Sequence, residues 1–138
     1  MYDNILLTLG ASAADRPIIE HVKRLASVMH SRVCLLHVAS GAPAQLYGAD
    51  AGGKEVNDGR VYLDRVKREF EAAGIATVAE LGYGDPAKEI QKWVEQKGCD
   101  LVAMGTHGHK LLADLVLGTT ANRVQHNISV PVLLLRAK

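Results

Sequence analysis

The sequence lacks an excess of charge of either sign and lacks a long apolar run. Its 16 Lys and Arg oppose 15 Asp and Glu over 138 residues, which leaves a net charge of +1. This balance argues against nucleic acid or an anionic membrane surface as the main partner. No apolar run approaches the ~18–20 residues that cross a bilayer, so we expect no membrane insertion. Any ligand selectivity must therefore come from a local site.

Cysteine is scarce, and a targeting signal is missing. The two cysteines, Cys34 and Cys99, lie far apart without CxxC spacing, each inside an apolar stretch. We therefore expect two buried thiols in a reducing compartment. The start of the sequence, MYDNILLTLG, has no basic region and no small-residue cleavage site, so no signal peptide is expected. Together these features predict a cytoplasmic protein.

The apolar residues occur in short runs that alternate with segments of helical period. Stripes over 18–29 and 63–73 and the capped segment 85–98 predict helices, and a last helix is expected from about 119 to 127. The run at 76–81 alternates and fits an edge strand, whereas the others suit parallel strands covered on both faces. The five predicted strands are 4–9, 32–38, 76–81, 99–105 and 130–136.

The order of these elements predicts one domain over residues 1–138. Strands and helices alternate as β-α-β-α-β-α-β-α-β, and right-handed crossovers then give a three-layer, doubly wound α/β fold. Ligands of such folds bind beyond the carboxyl ends of the strands, here between the first and fourth. The one irregular connection, residues 39–55, is rich in Gly and Ala, and loops of this length often lie over a ligand site.

The glycines after the fourth strand predict a phosphate site. Gly105 and Gly108 would let the backbone bring its N–H groups close to an anion. Gly118, Thr119 and Thr120 would begin the last helix, whose free N–H groups and positive dipole end also favour a phosphate. Two such pieces of backbone could hold a polyphosphate from both sides. The alternative, that these glycines only form turns, stays open.

These residues resemble a known family. Gly105-x-x-Gly108, nine residues and then Gly118-Thr119 match the G-x-x-G-x9-G-[ST] signature of the universal stress protein family, in its ATP-binding branch. The segments NILLTLGAS, GDPAKEI, CDLVAMGTHG and SVPVLLLR are similar to further parts of the family pattern, so the resemblance covers essentially the whole chain. It implies a Rossmann-like, adenine nucleotide alpha hydrolase-like sheet of five parallel strands in the order 3-2-1-4-5.

The resemblance also implies a ligand and the residues that bind it. The ligand would be ATP, or AMP or cyclic AMP, and Mg²⁺ or Mn²⁺ could arrive with it. Gly105, Gly108, Gly118 and Thr119 would hold the phosphates. The same cradle would be lined by Thr106, His107, His109 and Thr120, and the adenine and ribose would be flanked by Thr8, Leu9, Gly10, Val38 and Met104.

One position departs from the family pattern. Where the family usually has Val-Asp-Gly-Ser after the first strand, this chain has Leu9-Gly10-Ala11-Ser12, so the carboxylate expected to hydrogen-bond the adenosine is missing at Gly10. Losing one charge-assisted hydrogen bond costs about 1.5–3 kcal/mol, or roughly ten- to hundred-fold in affinity. Asp15, in the following turn, is a candidate substitute.

The residues and the resemblance predict a regulatory switch of the stress response that binds an adenine nucleotide. The family's fifth strand commonly pairs with its copy, so a homodimer is expected through the apolar strand 130–136, with an unknown regulatory protein as a further partner. The alternatives are a nucleotide-independent interaction subunit and a slow ATP hydrolase. No catalytic residue is predicted because no His–Asp pair accompanies the available hydroxyls. His107 and His109 alone make a poor zinc site, so no protein-built metal site is predicted.

Overall fold

Five parallel strands form the centre of the molecule. The computed structural model describes residues 1–39, 54–105, 123–124 and 128–136. Its strands are β1 (Asn4–Thr8), β2 (Arg32–Ala39), β3 (Thr77–Tyr83), β4 (Leu101–Gly105) and β5 (Val132–Leu135). They pair in the order β3-β2-β1-β4-β5, and every neighbouring pair is parallel. The predicted fold class and strand order are confirmed.

Helices connect the strands. In the described ranges they are α1 (Arg16–Met29), α2 (Lys54–Ala72) and α3 (Pro86–Lys97), and a 3-10 helix, Ala13–Asp15, precedes α1. No helix in that part of the chain is long and apolar enough to cross a bilayer.

The helix ends follow from local sequence chemistry. Pro86 occupies the first turn of α3, and Gly98 closes that helix with a left-handed φ of 61°. Gly74, with a φ of 83°, follows the end of α2 in the same way. Arg123 and Val124 are helical and fall inside the predicted last helix. The other residues of that predicted helix lie outside the described ranges.

The sheet is covered on both faces because successive side chains of a strand point to opposite sides. Ile5 and Leu7 of β1 lie in one core with residues of α1 and α2. Leu6 lies in a second core with residues of α3. All three side chains are fully buried, which explains why the first strand reads as a continuous apolar run rather than an alternating one.

Two element boundaries differ from the prediction. The apolar stripe that predicted α2 starts at Leu63, but the helix begins at Lys54, because its first turns are mostly polar and carry no stripe. β4 begins at Leu101, after the predicted start at Cys99. The Cys99 N–H still donates to the Val94 carbonyl at 3.0 Å, which makes this residue part of the end of α3.

Both cysteines are free and buried, as predicted. Burial raises the pKa of the Cys34 thiol to about 12 and that of the Cys99 thiol to about 11. At neutral pH both residues are therefore protonated, which is the unreactive form of a thiol.

Candidate functional site

The carboxyl ends of β1, β2 and β4 meet at one edge of the sheet. Thr8, at the end of the central strand β1, is opposite Leu36 of β2 and Met104 of β4. Gly105 ends β4 opposite Leu135 of β5. From β1 the chain continues to β2, which pairs with β1 on one side, whereas β4 pairs with β1 on the other side. The strand order therefore reverses at β1, and open parallel sheets bind ligands at the carboxyl ends of the strands where this happens.

The predicted site residues differ in exposure. Leu9 and Met104 are buried, and their side chains belong to the two cores rather than to an open surface. Thr8, Val38 and Gly105 are half-buried, whereas Gly10 is exposed. The remaining predicted site residues lie outside the described ranges: Thr106, His107, Gly108, His109, Gly118, Thr119 and Thr120.

A cavity of about 610 Å³ opens beside the end of β1. This volume is within the range of pockets that hold small organic ligands. Gly10, Ala11 and His37 form its wall on the side of the sheet. The opposite wall comes from α2, through Asp58, Gly59, Val61, Tyr62 and Arg65.

The turn after β1 is held by the carboxylate of Asp15. Its Oδ1 accepts a hydrogen bond from the Gly10 N–H at 3.0 Å. Its Oδ2 accepts from the N–H groups of Ala11 at 2.9 Å and Ser12 at 3.3 Å, and from the Tyr62 hydroxyl at 2.6 Å. Asp15 is 4% exposed. Burial, together with the hydrogen bond to Asp15, raises the pKa of the Tyr62 phenol above its ordinary value.

Ala11 has a left-handed backbone, with a φ of 64°. This conformation costs a residue with a Cβ about 1–2 kcal/mol, whereas glycine adopts it freely. Ala11 stands where the family pattern has glycine, so the turn keeps its shape although the residue that favours it is gone. Gly10, by contrast, does not have the positive φ that would require glycine.

His37 connects the end of β2 to the turn and to α2. Its Nδ1 donates to the Leu9 carbonyl at 2.9 Å, and the side chain is buried. A Cβ added at Gly59 would lie 2.8 Å from His37 Cδ2, closer than real Cβ contacts. The ring cannot easily give way because it is hydrogen-bonded. Glycine in the second turn of α2 is therefore explained by the approach of the helix to this ring.

Ion pairs join the start of α1 to α2. The Arg16 guanidinium donates to both carboxylate oxygens of Glu69, at 2.9 and 3.1 Å, and to Glu20 at 3.0 Å. These hydrogen bonds from Arg16 lower the pKa of Glu69 and of Glu20. Exposed pairs of this kind contribute about 0–1 kcal/mol. They therefore orient α2 beside the β1 turn more than they stabilise the fold.

A second ion pair joins the last helix to α3. The Arg123 guanidinium donates to both oxygens of Asp85, at 3.0 and 2.6 Å. This contact lowers the pKa of Asp85, which is also the N-cap residue of α3. Val124, next to Arg123, is 1% exposed and packs in the second core. The described part of the last helix is thus fixed against α3 by charge and by packing.

Of the residues that line the cavity, only Gly10 was predicted from the sequence as a site residue, and neither Ala11 and His37 nor any residue of α2 was predicted to belong to the site. Asp58, Tyr62 and Arg65 are separated by four and then by three residues, which places them on one face of α2, next to the apolar stripe. That spacing, and the glycine at position 59, were the signals available in the sequence.

Metal ligands and a second cavity also bear on the site. Among the described residues, no group of three or more His, Cys, Asp or Glu could hold a metal ion. A second cavity of about 380 Å³ lies at the opposite edge of the sheet, where Arg32 begins β2 and Thr77 begins β3. Both cysteines and Lys97 also line it. It is therefore separate from the carboxyl edge.

Comparison with known proteins places the chain in a family. The model of the universal stress protein family matches residues 1–136. Universal stress protein MJ0577 of Methanocaldococcus jannaschii is 26% identical over 157 residues, with 100% of this chain and 97% of the relative covered. Its solved structure superposes with a TM-score of 0.83 at 27% identity, covering 100% of this chain and 98% of that one.

Two more distant structures share the fold and contain nucleotides. A universal stress protein family protein from Arabidopsis thaliana with AMP bound has a TM-score of 0.70 at 18% identity, covering 99% of this chain and 92% of that one. The universal stress protein from Archaeoglobus fulgidus in complex with dAMP has a TM-score of 0.70 at 14% identity, covering 96% and 97%. The match of the family model over nearly the whole sequence confirms the predicted family: the chain belongs to the universal stress protein family.

Proposed function

We propose that this protein binds an adenine nucleotide at the carboxyl edge of its sheet and acts as a regulatory switch in a stress response. The observation that supports it is the cavity of about 610 Å³ beside the end of β1, at the carboxyl edge of the sheet, where ligands of open parallel sheets bind. The AMP and dAMP complexes of structurally similar family members support the same class of ligand. ATP, AMP and cyclic AMP are the candidates, as for the ATP-binding branch.

The hydrogen bonds of the β1 turn suggest how the nucleotide would lie. The N–H groups of Gly10, Ala11 and Ser12 already donate to Asp15, so a phosphate would find no donor there. The cavity would therefore take the adenine and ribose. The phosphates would extend towards Gly105 and the predicted cradle of residues 106–120.

The environment of Gly105 supports a phosphate there. A Cβ added to Gly105 would lie 3.6 Å from Ile18 Cγ2, an ordinary contact, and its φ is not positive. Within the described part of the chain, neither packing nor backbone conformation therefore requires glycine at this position. A close approach between the Gly105 backbone and a ligand is one reason for glycine at this position. Mg²⁺ or Mn²⁺ would come with the nucleotide, held mainly by phosphate oxygens and water.

The switch would operate through α2. This helix forms one wall of the cavity and follows directly on the segment 40–53 of the sequence. Occupancy would favour one arrangement of α2 and of the surface beside it, which a regulatory protein could recognise. The missing carboxylate at Gly10 favours a second candidate, an interaction subunit that no longer binds nucleotide.

Titration calorimetry with AMP, ATP and cyclic AMP tests the proposal, with GTP as the control for base selectivity. We expect saturable binding of at least one adenine nucleotide in the micromolar to millimolar range, and weaker binding of GTP. Absence of heat from all three adenine nucleotides at millimolar concentration would leave the interaction subunit as the function.

We further propose that two copies associate through β5. This strand lies at the edge of the sheet, and its four apolar residues are only half-buried. An apolar edge strand favours pairing with another strand. Light scattering coupled to size-exclusion chromatography should give the mass of two chains at micromolar concentration. A monomer mass at all concentrations would contradict this arrangement.

A further inference from the structure

We propose that Asp15 is a positioning residue of the nucleotide site, and that Tyr62 connects it to α2. The inference rests on the proposed function and goes beyond it, because it assigns a role to residues outside the family motif. Asp15 is 4% exposed, and its two oxygens accept three backbone N–H groups and one phenol hydroxyl. Such a set of charge-assisted hydrogen bonds leaves the carboxylate little freedom.

The β1 turn depends on this carboxylate for two reasons. Three successive N–H groups converge on one point, an arrangement that needs an anion at its centre. Ala11 also holds a left-handed φ of 64°, which its Cβ disfavours. Asp15 supplies the anion from within the chain and so compensates the unfavourable backbone. The turn that borders the cavity is thereby fixed before any ligand arrives.

The same hydrogen bonds argue against a direct contact between Asp15 and the ligand. Its Oδ2 accepts from Ala11, Ser12 and Tyr62, and its Oδ1 from Gly10. Asp15 therefore does not take the place of the carboxylate missing at Gly10. It acts on the ligand through the turn.

Tyr62 extends this effect to the helix. Its hydroxyl donates to Asp15 Oδ2 at 2.6 Å, and its side chain lines the cavity. Two turns further along α2, Glu69 accepts from Arg16, the residue after Asp15. Adjacent residues of the β1 connection thus hold α2 at two points. Ligand binding and the position of α2 are linked through the Asp15–Tyr62 hydrogen bond.

The test compares the AMP affinity of the full chain with that of Asp15→Asn, Tyr62→Phe and the double variant. Asp15→Asn should weaken AMP binding at least about fivefold and shift the amide NMR signals of residues 10–12. Tyr62→Phe should weaken it less. If Tyr62 acts through Asp15, the double variant should bind like Asp15→Asn alone, whereas independent packing effects would add. Matched controls are Asp64→Asn, an exposed carboxylate of α2, and Tyr2→Phe, a tyrosine before β1.

The outcomes separate the two proposals. If the unaltered chain binds no adenine nucleotide, the proposed function fails. If it binds AMP and folded Asp15→Asn loses less than about fivefold in AMP affinity, the function stands and the role of Asp15 is refuted. Tyr62→Phe keeps the carboxylate, so it decides the coupling even where Asp15→Asn does not fold. Tyr62→Phe with unchanged affinity and unchanged amide signals at residues 10–12 would exclude that coupling.

Discussion

Gly10→Asp is expected to tighten the binding of AMP and ATP about ten- to hundred-fold, measured by titration calorimetry. The substitution restores the carboxylate that the family pattern places after the first strand, at a position that lines the cavity. The backbone allows it, because Gly10 does not have a positive φ. The Asp15 carboxylate accepts from the same residue's N–H at 3.0 Å. Repulsion between the two carboxylates should therefore keep the gain in affinity near the tenfold end of this range.

The controls for this gain are Gly10→Asn and Gly10→Ala. Asparagine has almost the same shape as aspartate but no charge, so its gain should be smaller. Alanine adds only a methyl group and should bind AMP like the unaltered chain. An unchanged or weaker affinity of a folded Gly10→Asp variant would mean that this cavity does not take the adenosine part of the ligand.

Phe70→Ala is expected to lower the free energy of unfolding by about 3–5 kcal/mol. Phe70 is fully buried in the core between α2 and the sheet. Removing its ring leaves a cavity that the surrounding strands cannot close. Urea denaturation followed by circular dichroism measures the change, with the slope against urea expected to stay constant.

Two control variants accompany Phe70→Ala. Phe70→Leu keeps most of the apolar volume and should cost clearly less than Phe70→Ala. Glu71→Ala, at the next position of α2, changes an exposed side chain and should stay within about 0.5 kcal/mol. A loss below about 1 kcal/mol for Phe70→Ala would show that α2 is not held on the sheet by this core.

The elements and the fold class could be predicted because they depend on local patterns, whereas the strand order followed from the resemblance to the family. The continuous apolar runs at β1 and β4 are typical of strands buried on both faces. Pro86 and Gly98 mark the two ends of α3 through backbone preferences that act within a few residues. The edge position of β3 followed from the alternation of its residues. Each of these signals lies within one element, so each can be read without knowing its neighbours.

The wall of the cavity could not be predicted in the same way. Tyr62 and Asp15 are 47 residues apart, and no sequence pattern near either residue indicates their hydrogen bond. The requirement for glycine at position 59 exists only because His37 packs beneath it. Such contacts depend on how α2 lies across the turn, which is a property of the assembled fold.

A titration of the isotope-labelled protein with AMP, followed by amide NMR signals, tests whether the nucleotide binds at the carboxyl edge of the sheet. We expect the largest shifts at Gly10, Ala11, Val38 and Gly105, which lie at the carboxyl edge of the sheet. The amides of Ala76 and Lys97, beside the second cavity at the opposite edge, should stay unchanged. Shifts concentrated at that second cavity, or no saturable shift at the carboxyl edge, would show that the nucleotide does not bind at the carboxyl edge.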